Sequence, residues 1–214
     1  MTFANRTDAG RRLAERLAPL HGTPVVVLGL PRGGVPVAAP VAVALEAPLD
    51  VLPVRKLGVP WQPELAMGAI AEGGVRVVEA EVVARGGLTD AAIDAAAERE
   101  APALAREAAY RGGRPAVPLE GKTVVVVDDG LATGSTARAA CLAARARGAE
   151  RVVLAVPVAP PHWAWPMHEV ADECIALHVP SHFRAVGQDY DDFSPTTDAE
   201  VLAALDEARA ELES

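Results

Sequence analysis

Hydrophobic positions along the chain come in two alternating forms: short continuous apolar runs and longer stretches with helical spacing. Residues 25–30 (VVVLGL), 123–128 (TVVVVD), 151–157 (RVVLAVP) and 173–179 (ECIALHV) are short and rich in branched residues. They read as strands buried on both faces, because a half-exposed strand would alternate apolar with polar. Residues 50–55 (DVLPVR) read as a further strand. Between them lie helical patterns at 8–18, with Leu13 and Leu17 on one face, at 36–46, and at 134–147, which Gly148 ends. A terminal helix is expected at 198–212.

The middle of the chain breaks this rhythm. Residues 57–74 carry Gly58, Pro60, Pro63, Gly73 and Gly74 and read as loop and turn, with 75–79 pairing back on 68–72 as a hairpin. Thr89 is placed to cap a helix over 90–111. Strand–helix alternation predicts an α/β fold: a mostly parallel sheet with helices on both faces, interrupted by a long insertion. With 214 residues, one domain spanning 1–214 is expected, with 57–120 as the insertion.

Such sheets bind ligands beyond the carboxyl ends of their strands. Three predicted strand ends carry chemistry-capable residues: Arg32 with Gly33 and Gly34, Arg55 with Lys56, and Asp128 with Asp129. Two adjacent carboxylates after a buried apolar strand are costly unless they bind something. The residues after them, Gly130, Leu131, Ala132, Thr133, Gly134, Ser135 and Thr136, form a small, hydroxyl-rich loop opening a helix. Loop amides and a helix N-terminus attract an anion. No lysine follows Gly134, which excludes a P-loop, and Gly130-Leu131-Ala132 does not supply a dinucleotide fingerprint. Gly33 and Gly34 allow amides to turn inward as a second anion nest, beside the donor fork of Arg32.

VVDDGLATGST resembles the phosphoribosyl-pyrophosphate (PRPP) motif of the type I phosphoribosyltransferases. The resemblance implies that Asp128 and Asp129 hold the ribose hydroxyls and that residues 130–136 wrap the 5′-phosphate. It implies that Pro31-Arg32-Gly33-Gly34 is the pyrophosphate loop and that Arg55 and Lys56 reach PRPP oxygens. Mg²⁺ is the implied cofactor, carried by PRPP and reaching the protein, where it does so, through Asp128 and Asp129. The insertion would supply a mobile lid, with Glu64 and Glu72 as polar contacts. Residues 179–195 resemble the hood over the acceptor base, with Phe183, Val186 and Tyr190 as contacts. Both lysines, Lys56 and Lys122, lie outside that segment, so none is placed to read a purine 6-oxo group, and the acceptor stays open. The implied partners are PRPP and a small-molecule acceptor, and the chain is expected to pair as a homodimer. A PRPP-binding regulator without turnover and a ribose-phosphate hydrolase remain alternatives.

Charge and composition narrow the partners. The net charge of −9 argues against nucleic acid or an anionic membrane. The chain shows no apolar leader and no long apolar span, so a cytoplasmic protein is expected. Cys141 and Cys174 make no metal or disulfide pattern, and His162 and His168 lack a third ligand at useful spacing.

Overall fold

The computed structural model describes residues 2–213, with Glu64 described by its backbone alone. Five parallel strands form the central sheet: β1 (Val25–Gly29), β2 (Leu49–Val51), β6 (Thr123–Val127), β7 (Arg151–Val158) and β8 (Glu173–His178), in the order β2-β1-β6-β7-β8. Three more strands, β3 (Val54–Val59), β4 (Gln62–Ala71) and β5 (Arg76–Val78), make a separate antiparallel sheet. Among the described residues seven helices accompany them: α1 (Arg6–Leu17), α2 (Gly34–Ala44), α3 (Ala80–Gly86), α4 (Asp90–Ala108), α5 (Ser135–Ala146), α6 (Ala164–Met167) and α7 (Asp198–Leu212).

The apolar runs are continuous because both faces of the central sheet are covered. In β6, Val125 and Val127 join Leu13, Leu17, Val37 and Val41 of α1 and α2, while Val124 and Val126 join Ala140 and Ala144 of α5. Alternation along one strand thus feeds two cores. Helices α1 and α2 meet closely at Gly10, where a Cβ would lie 2.3 Å from the Val37 carbonyl oxygen. The alanine-rich face of α5 packs on the central sheet and also against Val54, Ala69 and Ala71 of the second sheet. Small side chains let one helix serve two sheets.

The middle of the chain departs from expectation. Residues 50–55 are not one strand: β2 ends at Val51, and the chain crosses to the second sheet as β3. Pro53 cannot donate to a ladder, so the break falls beside it. Residues 57–74, expected as loop, are largely the paired strands β3 and β4. Their glycines mark close approach rather than turns. A Cβ on Gly58 would meet the Pro63 oxygen at 2.5 Å, and one on Gly68 the Val77 oxygen at 2.3 Å. The predicted hairpin is present as β4 against β5, with Ala69 opposite Val77. Thr89 caps α4, accepting from the Ala92 amide at 3.3 Å. Helix α3 carries no strong apolar period and was not foreseen.

A buried ion pair ties the insertion to the central sheet. The Asp50 carboxylate in β2 accepts from Arg111 Nε at 2.6 Å and from the Val117 amide at 2.9 Å. Arg111 also donates to the Val51 carbonyl at 2.8 Å and to Glu72. Glu72 therefore braces the insertion's base, not a lid contact.

Candidate functional site

Strand order places the site before any side chain is considered. From β1 the chain runs to β2 on one side, whereas the next strand of the central sheet, β6, pairs on the other. A crevice opens where connections diverge in this way, and ligands bind there. Gly29 lies opposite Val127, and the Leu30 amide donates to the Val127 carbonyl at 2.9 Å. The loop after β1 and the acidic pair after β6 therefore leave the sheet side by side.

The two loops touch. A Cβ on Gly33 would stand 2.1 Å from Asp129 Oδ2, and one on Gly34 would stand 2.6 Å from the Val127 carbonyl oxygen. Glycine at both positions is a packing requirement here, and the Pro31–Arg32 peptide beside them is cis. Gly130 is likewise pressed against the 179–195 segment, where a Cβ would meet Val186 Cγ1 at 2.3 Å. Leu131 turns inward, its amide bonded to the Val158 carbonyl at 2.9 Å, while Ala132, Thr133 and Thr136 face solvent. Thr133 Oγ1 and Ser135 Oγ lie 2.9 Å apart, and Gly134 adopts φ +74° at the start of α5. That start combines a helix N-terminus with small hydroxyl residues, a natural anion cradle, with the Ser135 amide lying 3.5 Å from Thr133 Oγ1.

Electrostatics at the acidic tip are unusual. Burial, then the neighbouring Asp129 charge, hold the Asp128 carboxyl well above the ordinary range. Burial also raises Asp129, against the opposing pull of Arg6. Carboxyls held in this state favour a partner that brings hydroxyl donors or a hard cation. The oxygen donors present thus fit Mg²⁺ arriving with a phosphorylated sugar. Among the described residues no group of three or more His, Cys, Asp or Glu could hold a metal.

Arg6 was not anticipated. Its Nε donates to Asp129 Oδ2 at 2.8 Å, its Nη1 donates to the Ser194 carbonyl at 2.8 Å, and its guanidinium lies 4.1 Å from the Phe193 ring centroid. Helix α1 begins at Arg6, two residues before the expected start, because Asn5 caps it by accepting from the Asp8 amide at 2.9 Å. Asn5 ahead of a helical run was the available signal.

Other expected residues are distributed differently. Tyr190 is only 6% exposed and is packed between Phe3 (5.4 Å) and Phe193 (4.9 Å), with its hydroxyl donating to the Asp129 carbonyl at 2.7 Å. It braces the acid loop and offers no open ring face to a base in this conformation. Phe183 and Val186 are half-buried beside it. Arg32 sits 3.6 Å from Asp198. Arg55 and Lys56 do not end a strand of the central sheet; both lie within β3. Arg55 pairs with Glu100 at 2.8 Å and Glu107 at 3.2 Å on α4. Lys56 follows it, opposite Ala69, whose side chain packs toward α5. Strand alternation therefore turns Lys56 to the α5 side, away from Arg55's acids. On that side a cavity of about 260 Å³ lies between the second sheet and the cradle, lined by Ala69, Glu79, Thr133, Ser135, Arg138 and Met167 among others. The side chain of Glu64, an expected lid contact, lies outside the described residues. Trp163 packs on the core edge, while Trp165 is 84% exposed on α6, a short helix containing Pro166.

The family model described as a phosphoribosyl transferase domain matches residues 4–191. Rv0571c of Mycobacterium tuberculosis strain H37Rv, provisionally named a phosphoribosyl transferase, is 56% identical over 96% of this chain and 47% of its own length. The chain thus spans about half the length of that relative. An adenine phosphoribosyltransferase of Kineococcus radiotolerans is 41% identical over 101 residues, 42% of this chain and 55% of its own. Among solved structures, TT1426 from Thermus thermophilus superposes with a TM-score of 0.88 at 45% identity, covering 97% of this chain and 99% of that one.

Proposed function

The chain belongs to the phosphoribosyl transferase domain family, and on that footing we propose that it transfers the 5-phosphoribosyl group of PRPP to a nitrogen of a base-like acceptor, releasing pyrophosphate. The observation that carries this reading is the contact between two loops at one crevice. The Asp128–Asp129 tip and the Gly33–Gly34 turn meet within van der Waals distance, so one ligand can engage both.

In this reading Asp128 and Asp129 hold the ribose hydroxyls, and their negative charge favours the positive charge that develops on the sugar as pyrophosphate departs. The amides of 132–136, with the Thr133, Ser135 and Thr136 hydroxyls, hold the 5′-phosphate, while the Leu131 amide is taken by the Val158 carbonyl. The Gly33 amide, with Arg32 and Lys56, receives the leaving pyrophosphate, whereas the Gly34 amide is taken by the Leu30 carbonyl at 2.9 Å. Asp128 and Asp129 would be the carboxylates to hold Mg²⁺ brought with PRPP, which would supply neutralisation of the pyrophosphate charge. Catalysis is then mainly positioning and electrostatics. Residues 1–214 act as one domain, in which 57–120 serve as the cover that excludes water from the reacting centre and 179–195 as the hood over the acceptor. Val186 and Phe183 are the hood residues left to meet a base. The likeness to a protein named for adenine favours a purine.

Incubating the protein with PRPP, Mg²⁺ and a panel of purine and pyrimidine bases tests the reading. Pyrophosphate and a nucleotide should appear in equal amounts with one of them. PRPP binding without product under every acceptor would instead identify a sensor.

A further inference from the structure

We propose that Arg6 is a positioning residue for the sugar: it fixes the Asp129 carboxylate in the orientation that receives the ribose and ties it to the hood segment at Phe193 and Ser194. The inference rests on the phosphoribosyl-transfer reading and adds to it a residue from the other end of the chain, 123 positions from its partner.

The geometry is specific. Arg6 engages Asp129 at Oδ2. One oxygen is clamped, which restrains the carboxylate, and Oδ1 makes no contact with Arg6 and can turn to a ligand hydroxyl. The clamp is itself held at three points: Nε on the acid, Nη1 on the Ser194 carbonyl, and the planar face over Phe193. An arginine can satisfy all three at once because its guanidinium is flat and rigid, whereas a lysine cannot. Arg6 and Asp129 side chains are only 13% and 16% exposed, so water competes weakly for the contact.

The neighbours are arranged around this pair. Gly33 leaves the space that Oδ2 occupies, since a Cβ there would also lie 3.2 Å from Arg6 Nε. Tyr190 holds the Asp129 backbone carbonyl while packing on Phe193. Backbone bonds from Phe3 to Asp189 (2.8 Å) and from Asp191 to Phe3 (2.8 Å) stitch the start of the chain to the hood. Acid, hood and first helix therefore form one unit, and the sugar end of the site is assembled through Arg6.

A merely structural arginine and a positioning one differ in which ligands they affect. Calorimetry on the whole chain with three probes, PRPP with Mg²⁺, ribose 5-phosphate, and pyrophosphate with Mg²⁺, separates them. Arg6→Gln should weaken both sugar ligands about tenfold or more, the size expected for a charge-assisted contact, and pyrophosphate by no more than about twofold. Arg6→Lys, which keeps the charge and much of the stem, should lose less and serves if the glutamine variant does not fold. Equal loss across all three probes, or no loss for the sugar ligands, would overturn the inference while leaving the transfer reading intact. Failure of the wild-type chain to bind either sugar phosphate would overturn both.

Discussion

At the scale of single residues, the site is governed by missing side chains as much as by present ones. Gly33 leaves room for Asp129, so Gly33→Ala should displace the carboxylate and weaken PRPP binding by about tenfold or more, with the thermal midpoint lowered by only a few degrees; calorimetry paired with a thermal melt checks both. A different carboxylate contributes to acid stability. The Val152 amide, at 2.7 Å, and Arg145, at 2.5 Å, depress Asp172 below the usual aspartate range, with the amide as the larger influence. Its contribution is present above the unfolded value of about 3.9 and is lost as pH falls through the depressed folded value. Asp172→Asn should therefore flatten the fall in stability below about pH 4, as read from denaturant midpoints across pH. Neither the Asp172 contact nor the Arg6 clamp was legible in the sequence. Each joins residues whose proximity depends on the sheet, whereas Asp128-Asp129 and the 130–136 loop announce themselves locally.

At the scale of elements, the strands of the central sheet were readable because burial on both faces makes them continuous apolar runs. The helices were readable from their periods and caps. The second sheet was not. Its strands carry Gly58, Pro63 and Gly68 at positions of close approach, and these residue types ordinarily signal turns. Reading 50–55 as one strand also misplaced Arg55 and Lys56, since Pro53 sends them to a different sheet. That second sheet is joined to β2 through Asp50 and Arg111, both about 5% exposed in their side chains. Removing one member of a buried pair leaves the other charge without compensation. Arg111→Leu should accordingly lower folding stability by about 3–5 kcal/mol, measured by urea unfolding, and Asp50→Asn/Arg111→Leu together should cost less than the sum of the single changes.

At the scale of the whole molecule, α5 is the spine shared by both sheets, and Arg138 on it is the outer fastening. Arg138 bonds Glu79 at 3.0 Å, where β5 passes into α3, and also Glu169 at 3.0 Å and the Pro166 carbonyl at 3.0 Å beside α6. Arg138→Ala should speed amide hydrogen exchange around 76–83 while leaving the strands of the central sheet protected; unchanged exchange there would show that apolar packing alone seats the insertion. Sequence reading found the fold class and the acidic motif but not this three-part construction, because no local pattern reports that one helix faces two sheets.

The stitching of residues 3–6 onto 189–194 has a practical consequence for anyone preparing the protein. Affinity handles and trimmed starts are usually placed at a chain's beginning on the assumption that it is inert. Here a cut that removes the first six residues would spare every strand yet take away both the buried Phe3 and the cation beside Asp129, so the acidic tip would lose its support.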